Sequence, residues 1–261
     1  MRDLRVRCEW DAAQTHESLR PYLLEEAYEV DEAIRSGDDA LLREELGDLL
    51  LQVLFHSVLA SERGAFDADD VARTLVTKMR GRHPHLYGDG VKEPWERMKA
   101  KRRRSIVDGL PVRLPALHRA QRLQERAAGV HFDWPDVAGP LAKVAEELTE
   151  VTDLLGAPPP DVTPSGVATP TANAESDARH TRLTEELGDL LFSCVNLCRK
   201  AGVHAAIALD RANAKFSHRF EAVEALAKAR GIPLGQVPLD VLDRLWDDVK
   251  AGERPTDGAT R

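Results

Sequence analysis

Residues 25–29 (EEAYE) and 45–48 (ELGD) recur later in the chain as residues 146–150 (EELTE) and 186–189 (ELGD). In each copy two glutamates lie three residues apart, and the following glutamate and aspartate have the same spacing. Side chains at this spacing share one face of an α-helix, so each copy predicts two helices that present four carboxylates to each other. Because the pattern occurs twice in the same order, an internal duplication explains it better than a solvated acidic surface.

Alignment of the two copies makes the duplication testable. The matched acids are Glu26 with Glu147, Glu29 with Glu150, Glu45 with Glu186, and Asp48 with Asp189. The gap between the acidic motifs is 20 residues longer in the second copy, and the excess coincides with a segment rich in Pro, Thr, Ser and Ala. Such a composition buries too little apolar surface to offset its ordering entropy. We therefore expect a disordered insertion at about 157–180.

Helical periodicity accounts for most of the remaining chain. Apolar residues recur at helical spacing, and Gly or Pro separates the segments. The helices are expected near 18–34, 39–63, 66–80, 117–128, 137–155, 205–230 and 239–250. The strongly apolar run within the second helix predicts burial against several neighbours. A side-chain cap from Asp39 should begin that helix. The predicted fold is all-α, with two tandem helical-bundle repeats at 1–90 and 115–255 joined by a linker at 91–114.

Charge and hydropathy narrow the classes of partner. A net charge of −8 argues against broad nucleic-acid binding, which requires a cationic surface. The basic run at Lys99 and 101–104 is expected to be a solvated connector. No apolar stretch is long enough to cross a membrane, and the N-terminus lacks the apolar core of a signal peptide. We expect a cytoplasmic protein that binds neither nucleic acid nor membrane.

Four carboxylates between packed helices repel one another and lose hydration. A divalent cation removes this cost, and an all-oxygen ligand set favours Mg²⁺, with Mn²⁺ as a possible substitute. Mg²⁺ commonly shares its coordination shell with substrate phosphates. The acids therefore predict a metal-dependent enzyme of phosphate chemistry.

Cations follow each set of acids. Lys78 and Arg82 in the first half, and Lys215 and Arg219 in the second, are four residues apart and share a helix face from which they could bind phosphate oxygens.

The two halves differ at two other positions. The second half has Lys143 and Asn196 where the first has Tyr22 and Phe55. We expect the second half to be the main active site. The first is either a working site or a vestigial acidic pocket that serves packing.

Further motifs accompany the acids throughout the chain. They are Trp10-Asp11-x-x-Gln14-Thr15-His16, Arg82-His83-Pro84-His85, Trp95-Glu96-x-x-Lys99 and Ala212-Asn213-x-Lys215-Phe216-x-x-Arg219-Phe220. Together with the acids, this ordered set resembles the MazG-type nucleoside triphosphate pyrophosphohydrolases of the two-domain bacterial kind, over nearly the whole chain. The resemblance implies two MazG-like helical repeats, a homodimer, Mg²⁺ dependence, and hydrolysis of a nucleoside triphosphate to the monophosphate and pyrophosphate.

The resemblance also implies roles for individual residues. The implied metal ligands are Glu147, Glu150, Glu186 and Asp189, with Glu26, Glu29, Glu45 and Asp48 as a second set. The implied substrate-binding residues are Lys143, Asn196, Lys215, Arg219 and Trp246, with Glu146 near the nucleotide. Water would attack the α-phosphorus, with Glu146 or Glu147 as the general base and Lys215 and Arg219 neutralising the leaving group.

Three alternatives are weighed against this prediction. A di-iron carboxylate bundle also uses acids three residues apart, but it requires a histidine at the third position, which neither motif has. A narrower helical pyrophosphohydrolase, such as a dUTP hydrolase, fits the two-domain layout less well. A non-catalytic helical scaffold or nucleotide-sensing protein would bind metal and nucleotide without turnover.

Overall fold

The computed structural model describes residues 1–88, 90–92, 95–100, 103–156 and 174–253. All regular elements among these residues are helices, and they include no strand. The all-α class predicted from the sequence is therefore confirmed. The chain divides into two compact units, Met1–Trp95 and Glu96–Arg261. Within the described ranges, no helix combines the length and apolarity needed to span a membrane.

The first unit is built around two long helices. Its helices are α1 (Arg2–Arg7), α2 (Glu9–Ala13), α3 (Arg20–Ser36), α4 (Asp39–Glu62), α5 (Ala68–Arg82) and α6 (Pro84–Tyr87). Helix α3 packs along α4, and α5 packs on α4. Leu19, Phe55 and Leu59 form the buried cluster of this unit, and Met1 covers it. A short helix, α7 (Trp95–Ala100), contains the boundary between the units.

The turn between α3 and α4 brings the first pair of acidic motifs together. Gly37 ends α3 with a φ of 70°, a left-handed conformation that glycine adopts without strain. The N-cap of α4 is Asp38, whose side chain accepts hydrogen bonds from the backbone amides of Ala40 and Leu41. The prediction that Asp39 caps this helix is therefore wrong by one residue, because Asp39 already lies in its first turn.

Helix α4 is less buried than its composition predicts. Leu46, Leu50, Leu51, Val53 and Leu54 are between 38% and 56% exposed. The expectation that neighbouring helices bury this run is wrong within the described chain, because these five side chains stay exposed although α4 packs on α3 and α5. The first unit thus presents an apolar surface along α4.

The second unit contains five longer helices. They are α8 (Ala116–Ala128), α9 (Ala138–Leu155), α10 (Ala174–Lys200), α11 (Ala205–Ala229) and α12 (Leu239–Glu253). Helix α10 packs on α9 and α8, while α11 packs on α12 and α8. The insertion expected at about 157–180 is shorter at its carboxyl end, because α10 already begins at Ala174. Residues 157–173 lie outside the described residues.

The predicted linker at 91–114 is largely part of the second unit. Buried Arg126, at the end of α8, donates hydrogen bonds from Nη1 to the carbonyl oxygens of Ile106 (2.7 Å) and Asp108 (2.9 Å). Glu96 accepts ion pairs from Arg103 (3.0 Å) and Arg122 (2.8 Å). These interactions join Glu96 and the segment at 103–108 to α8, whereas the Gly and Pro content predicts an independent connector.

The same contacts correct the expectation of a solvated basic connector at Arg103, whereas Arg104 is exposed as expected. The Arg103 side chain is 14% exposed, because it pairs with Glu96. Residues 101 and 102 of the run lie outside the described residues.

Candidate active site

The second unit brings the carboxylates of α9 and α10 together. One oxygen each from Glu147, Glu186 and Asp189 lies within 4.8 Å of the other two. Glu147 is 4% exposed, whereas Asp189 faces solvent. Glu150, the fourth predicted ligand, lies outside this tight group but interacts electrostatically with Glu147 and Glu186. We name these four residues the second acid cluster.

Lys143 neutralises part of the second acid cluster. Its Nζ lies 2.8 Å from Oε1 of Glu146 and 2.6 Å from Oε1 of Glu147. Hydrogen bonds to Glu146 and then to Glu147 raise the pKa of Lys143, so it stays charged at neutral pH. Glu146 is more than half exposed and does not join the carboxylate group. The lysine predicted to bind substrate therefore also pairs with both candidate bases, which are consecutive residues one turn further along α9.

The first unit holds a matching cluster with different surroundings. One oxygen each from Glu26, Glu29 and Glu45 lies within 4.8 Å of the other two. Asp48 lies outside this tight group but interacts electrostatically with Glu26 and Glu45. We name these four residues the first acid cluster. Buried Gln52 donates a long hydrogen bond of 3.5 Å to Glu26.

The positions that distinguish the halves have packing roles in the first unit. Tyr22, which matches Lys143, makes an edge-to-face contact with the Trp10 ring at 6.1 Å. Phe55, which matches Asn196, is buried in the core of its unit. The first acid cluster therefore lacks the lysine that compensates the second one.

Each cluster contains a carboxylate whose charge is disfavoured by its surroundings. Loss of hydration, and then Asp48 and Glu29, raise the pKa of Glu26 above its ordinary value. Loss of hydration, followed by Glu147 and Glu186, raises the pKa of Glu150. A cation bound between these oxygens would relieve the repulsion. Both donor sets consist of carboxylate oxygens, which fit a hard divalent cation.

The predicted phosphate-binding cations lie on α11. Arg219 pairs with Glu253 of α12 at 2.7 Å, and its guanidinium lies 6.0 Å from the Trp246 ring centroid. Trp246 also packs on the core cluster of Val223, Ala227 and Leu245. No ion pair joins Lys215 or Arg219 to the second acid cluster in the part of the chain that the structure describes.

Asn196 lies seven residues, about two helical turns, beyond Asp189 on α10. It lines a cavity between α8 and α10. Its Oδ1 accepts a hydrogen bond of 2.7 Å from Nη2 of Arg199. The cavity is lined by neither Glu186 nor Asp189, and the expectation that Asn196 lies on the metal-facing stripe stays a prediction.

Sequence reasoning missed three polar residues near these features. Gln52 interrupts an apolar run of α4, and this interruption is a signal in the sequence that could have indicated a buried polar role. Gln124 and Arg199 are polar positions on the buried faces of α8 and α10, and no local pattern distinguishes them from solvated residues.

Comparison with known proteins agrees with the duplicated geometry. The profile of the MazG nucleotide pyrophosphohydrolase domain matches residues 14–87 and again residues 139–224. The first match contains the whole first acid cluster, and the second contains the whole second acid cluster.

The chain belongs to the MazG family.

Two relatives with pyrophosphohydrolase names match nearly the full chain, and a third matches part of it. A Thermotoga maritima protein named nucleoside triphosphate pyrophosphohydrolase/pyrophosphatase MazG is 43% identical, over 94% of this chain and 90% of its own length. The nucleoside triphosphate pyrophosphohydrolase of Escherichia coli K12 is 39% identical, over 97% of this chain and 94% of its own. A Mycobacterium tuberculosis protein with the same name is 43% identical over 58% of this chain and 48% of its own. The resemblance inferred from the motifs is confirmed.

Proposed function

We propose that this chain hydrolyses nucleoside triphosphates to the nucleoside monophosphate and pyrophosphate, with the second acid cluster as its active site. The observation that carries the proposal is the convergence of Glu147, Glu186 and Asp189 oxygens within 4.8 Å, beside Lys143. The names of the Thermotoga maritima and Escherichia coli relatives support the same reaction. The first acid cluster has the acids but not the lysine, which favours the second unit.

Mg²⁺ is the proposed cation, with Mn²⁺ as a substitute. Glu147, Glu150, Glu186 and Asp189 would hold it, because hard carboxylate oxygens suit both ions. When bound, the cation supplies Lewis-acid charge neutralisation to the phosphate oxygens. Without the cation, loss of hydration and then repulsion from Glu147 and Glu186 raise the pKa of Glu150.

The protein side chains supply the remaining parts of the reaction. Glu146 or Glu147 accepts a proton from the attacking water, and Lys143 lies within 2.8 Å of both carboxylates. Glu146 is the more accessible of the two, whereas Glu147 is buried among the proposed ligands. Lys215 and Arg219 would neutralise the departing pyrophosphate. The pairing of Arg219 with Glu253 means that phosphate oxygens must replace a carboxylate there.

Homodimerisation is also proposed. Several apolar side chains of α4 are exposed. A row of this kind is more typical of an interface than of a solvated surface. The cytoplasmic location expected from the sequence, and the absence of nucleic-acid and membrane partners, stay predictions.

A product assay tests the proposed reaction. The purified chain is incubated with Mg²⁺ and each of ATP, GTP, CTP, UTP and dUTP, and the products are resolved. Nucleoside monophosphate plus pyrophosphate from several nucleotides supports the proposal. Turnover of dUTP alone would indicate the narrower hydrolase.

Matched variants separate the two clusters in the same assay. Asp189→Asn removes a proposed ligand from the second unit, and Asp48→Asn is the equivalent change in the first. Release of nucleoside diphosphate plus orthophosphate would contradict the proposal. Nucleotide binding without any product would also contradict it and would favour a nucleotide sensor.

A further inference from the structure

Basic side chains of α11 surround a single carboxylate of α12. Arg219 approaches Glu253 with two nitrogens, Nη2 at 2.7 Å and Nε at 2.8 Å, and both contact the same oxygen, Oε2. Lys215 lies one turn before Arg219 on α11, and His218 is the neighbour of Arg219 in the chain. The hydrogen bond from Arg219, followed by the charges of all three basic groups, holds the pKa of Glu253 below its usual range.

The packing of α11 on α12 does not depend on this ion pair. Buried Val223 and Ala227 of α11 form a core cluster with Leu245 of α12. Glu253 is the last residue of α12, and its side chain is 34% exposed. The carboxylate can therefore leave Arg219 by rotation of its own side-chain bonds, while the core between the helices stays packed.

The position of Glu253 is unfavourable for α12 itself. The carboxyl end of a helix carries a partial negative charge, so a cation is preferred there and a carboxylate is disfavoured. Lys250 in the last turn follows this preference, whereas Glu253 does not. The ionised carboxylate is instead stabilised by the basic groups of α11. Such an arrangement is expected of a group that occupies a cationic site, not of one that stabilises a helix end.

Aromatic rings hold Arg219 in place independently of Glu253. The guanidinium of Arg219 lies 6.0 Å from the Trp246 ring centroid, and a cation over an aromatic face is attracted to it. Trp246 itself contacts the Phe216 ring, with centroids 5.4 Å apart, and packs on the buried core cluster. Displacement of the carboxylate should therefore leave the guanidinium positioned for another anion.

Carboxylate and phosphate oxygens compete for the same guanidinium donors. The planar fork of an arginine matches both groups, because each presents two oxygens at a similar spacing. Glu253 carries one negative charge, whereas a pyrophosphate group carries several and attracts neighbouring cations as well. Lys215 is exposed and makes no ion pair in the part of the chain that the structure describes. A polyphosphate therefore gains more from this group of cations than Glu253 does.

We propose that Glu253 is an internal competitor of the substrate phosphates, so that its carboxylate occupies Arg219 in the free protein and is displaced by oxygens of the pyrophosphate group. The inference rests on the proposed function, in which Lys215 and Arg219 neutralise the departing pyrophosphate. It adds a residue that sets the affinity for the phosphate tail and for the product. Because the carboxylate returns to Arg219 when pyrophosphate leaves, it also weakens retention of that product.

Glu253→Gln tests the proposal, because it removes the charge and preserves the size of the side chain. Binding of inorganic pyrophosphate in the presence of Mg²⁺ is measured by calorimetry, and KM is measured for a nucleoside triphosphate. Pyrophosphate affinity should rise by about 2- to 5-fold, the range expected for loss of a partly exposed ion pair, and KM should fall by a similar factor. The gain should shrink at high salt, which screens exposed charges.

A second ion pair between the same two helices provides the matched control. Nη1 of Arg230 lies 2.6 Å from Oδ2 of Asp248. Arg230 is eleven residues beyond Arg219, so this pair lies about 16 Å further along the helix. Asp248→Asn changes the net charge by the same amount as Glu253→Gln and also breaks a contact between α11 and α12. It should leave pyrophosphate affinity and KM unchanged.

A double-variant cycle tests whether Glu253 acts through Arg219. Arg219→Gln alone should weaken pyrophosphate binding, because it removes the proposed phosphate donor. Addition of Glu253→Gln in that background should bring little of the gain seen in the wild-type background, since the two residues act on one contact. A purely structural role of Glu253 would give the same effect in both backgrounds.

The outcomes separate this inference from the proposed reaction. Unchanged or weaker pyrophosphate binding in Glu253→Gln would overturn the inference, and so would an equal gain in Asp248→Asn, which would indicate an effect of net charge alone. Wild-type pyrophosphate affinity in Arg219→Gln would overturn it too, because the anion would then bind elsewhere. If the wild type does not convert nucleoside triphosphates to pyrophosphate, the proposed reaction fails, and calorimetry, which requires no turnover, still decides the role of Glu253.

Discussion

Replacing Arg126 with methionine should loosen one wall of the cavity between α8 and α10. Nη1 of Arg126 bonds to two backbone oxygens, 2.7 Å from Ile106 and 2.9 Å from Asp108. These bonds hold the segment that contributes Ile106 and Val107 to the cavity. Methionine keeps most of the length and apolar contact of the arginine stem but cannot donate either bond.

The magnitude follows from the two bonds and the burial of the guanidinium. A hydrogen bond to a charged group contributes about 1.5–3 kcal/mol, so two bonds set an upper value of about 3–6 kcal/mol. Arg126 is 6% exposed, and burial lowers its pKa, so its removal also recovers a desolvation cost. We expect Arg126→Met to lower the free energy of unfolding of the second unit by about 2–4 kcal/mol.

Hydrogen exchange and chemical denaturation measure this effect. Backbone amides in 103–114 should exchange faster in Arg126→Met, and the unfolding transition of the second unit should move to lower denaturant. Arg119→Met is the matched control, because Arg119 on the same helix is exposed and its bond to the carbonyl oxygen of Val112 in the same segment is long, at 3.4 Å. It should cost less than about 0.5 kcal/mol. Equal effects of the two substitutions, or unchanged exchange in 103–114, would refute the reasoning.

Three further predictions concern the acids. Glu150→Gln and Asp189→Asn should each lower turnover by orders of magnitude, with an unchanged helical circular dichroism signal. The matched first-unit variants Glu29→Gln and Asp48→Asn should retain most activity. Equal losses in the two units would contradict the assignment of the active site to the second unit. Mg²⁺ at about 100-fold excess over its Kd should stabilise the second unit by about 2.7 kcal/mol in thermal unfolding. Asp189→Asn should abolish most of that stabilisation. Undiminished stabilisation in the variant would mean that the ion binds elsewhere. Hydrogen bonds from Arg199, supported by Lys200, hold the pKa of Asp133 below its usual range. The ionised carboxylate therefore stabilises the fold at pH values above its unfolded pKa of about 3.9. This contribution is lost as the pH falls through the lower pKa of the folded state. Asp133→Asn should therefore destabilise the second unit by about 1–2 kcal/mol at pH 6 and flatten its acid limb in pH-dependent denaturation, and an unchanged limb would contradict this assignment.

Much of the architecture was accessible from local patterns. Helical periodicity and the duplicated acids predicted an all-α fold, and Glu26 with Glu45, like Glu147 with Glu186, do come together across neighbouring helices. Such patterns work because a helix has a fixed period, so spacing alone assigns residues to a face. Helix ends were predicted to within a few residues, with the cap at Asp38 displaced by one.

Tertiary structure decided the features that depend on distant partners. Local sequence cannot show that Arg126 binds the 106–108 backbone, that Arg219 pairs with Glu253, or that Gln124 keeps an unpaired oxygen beside a cavity. The exposed apolar row of α4 was misjudged for the same reason, since burial depends on which elements pack against a helix and not on its own composition. By itself, then, the sequence determined the helices and the acids they carry, because both follow from short-range periodicity. Only the fold decided the cavity and the partners of each charge, because these are set by contacts between residues far apart in the chain.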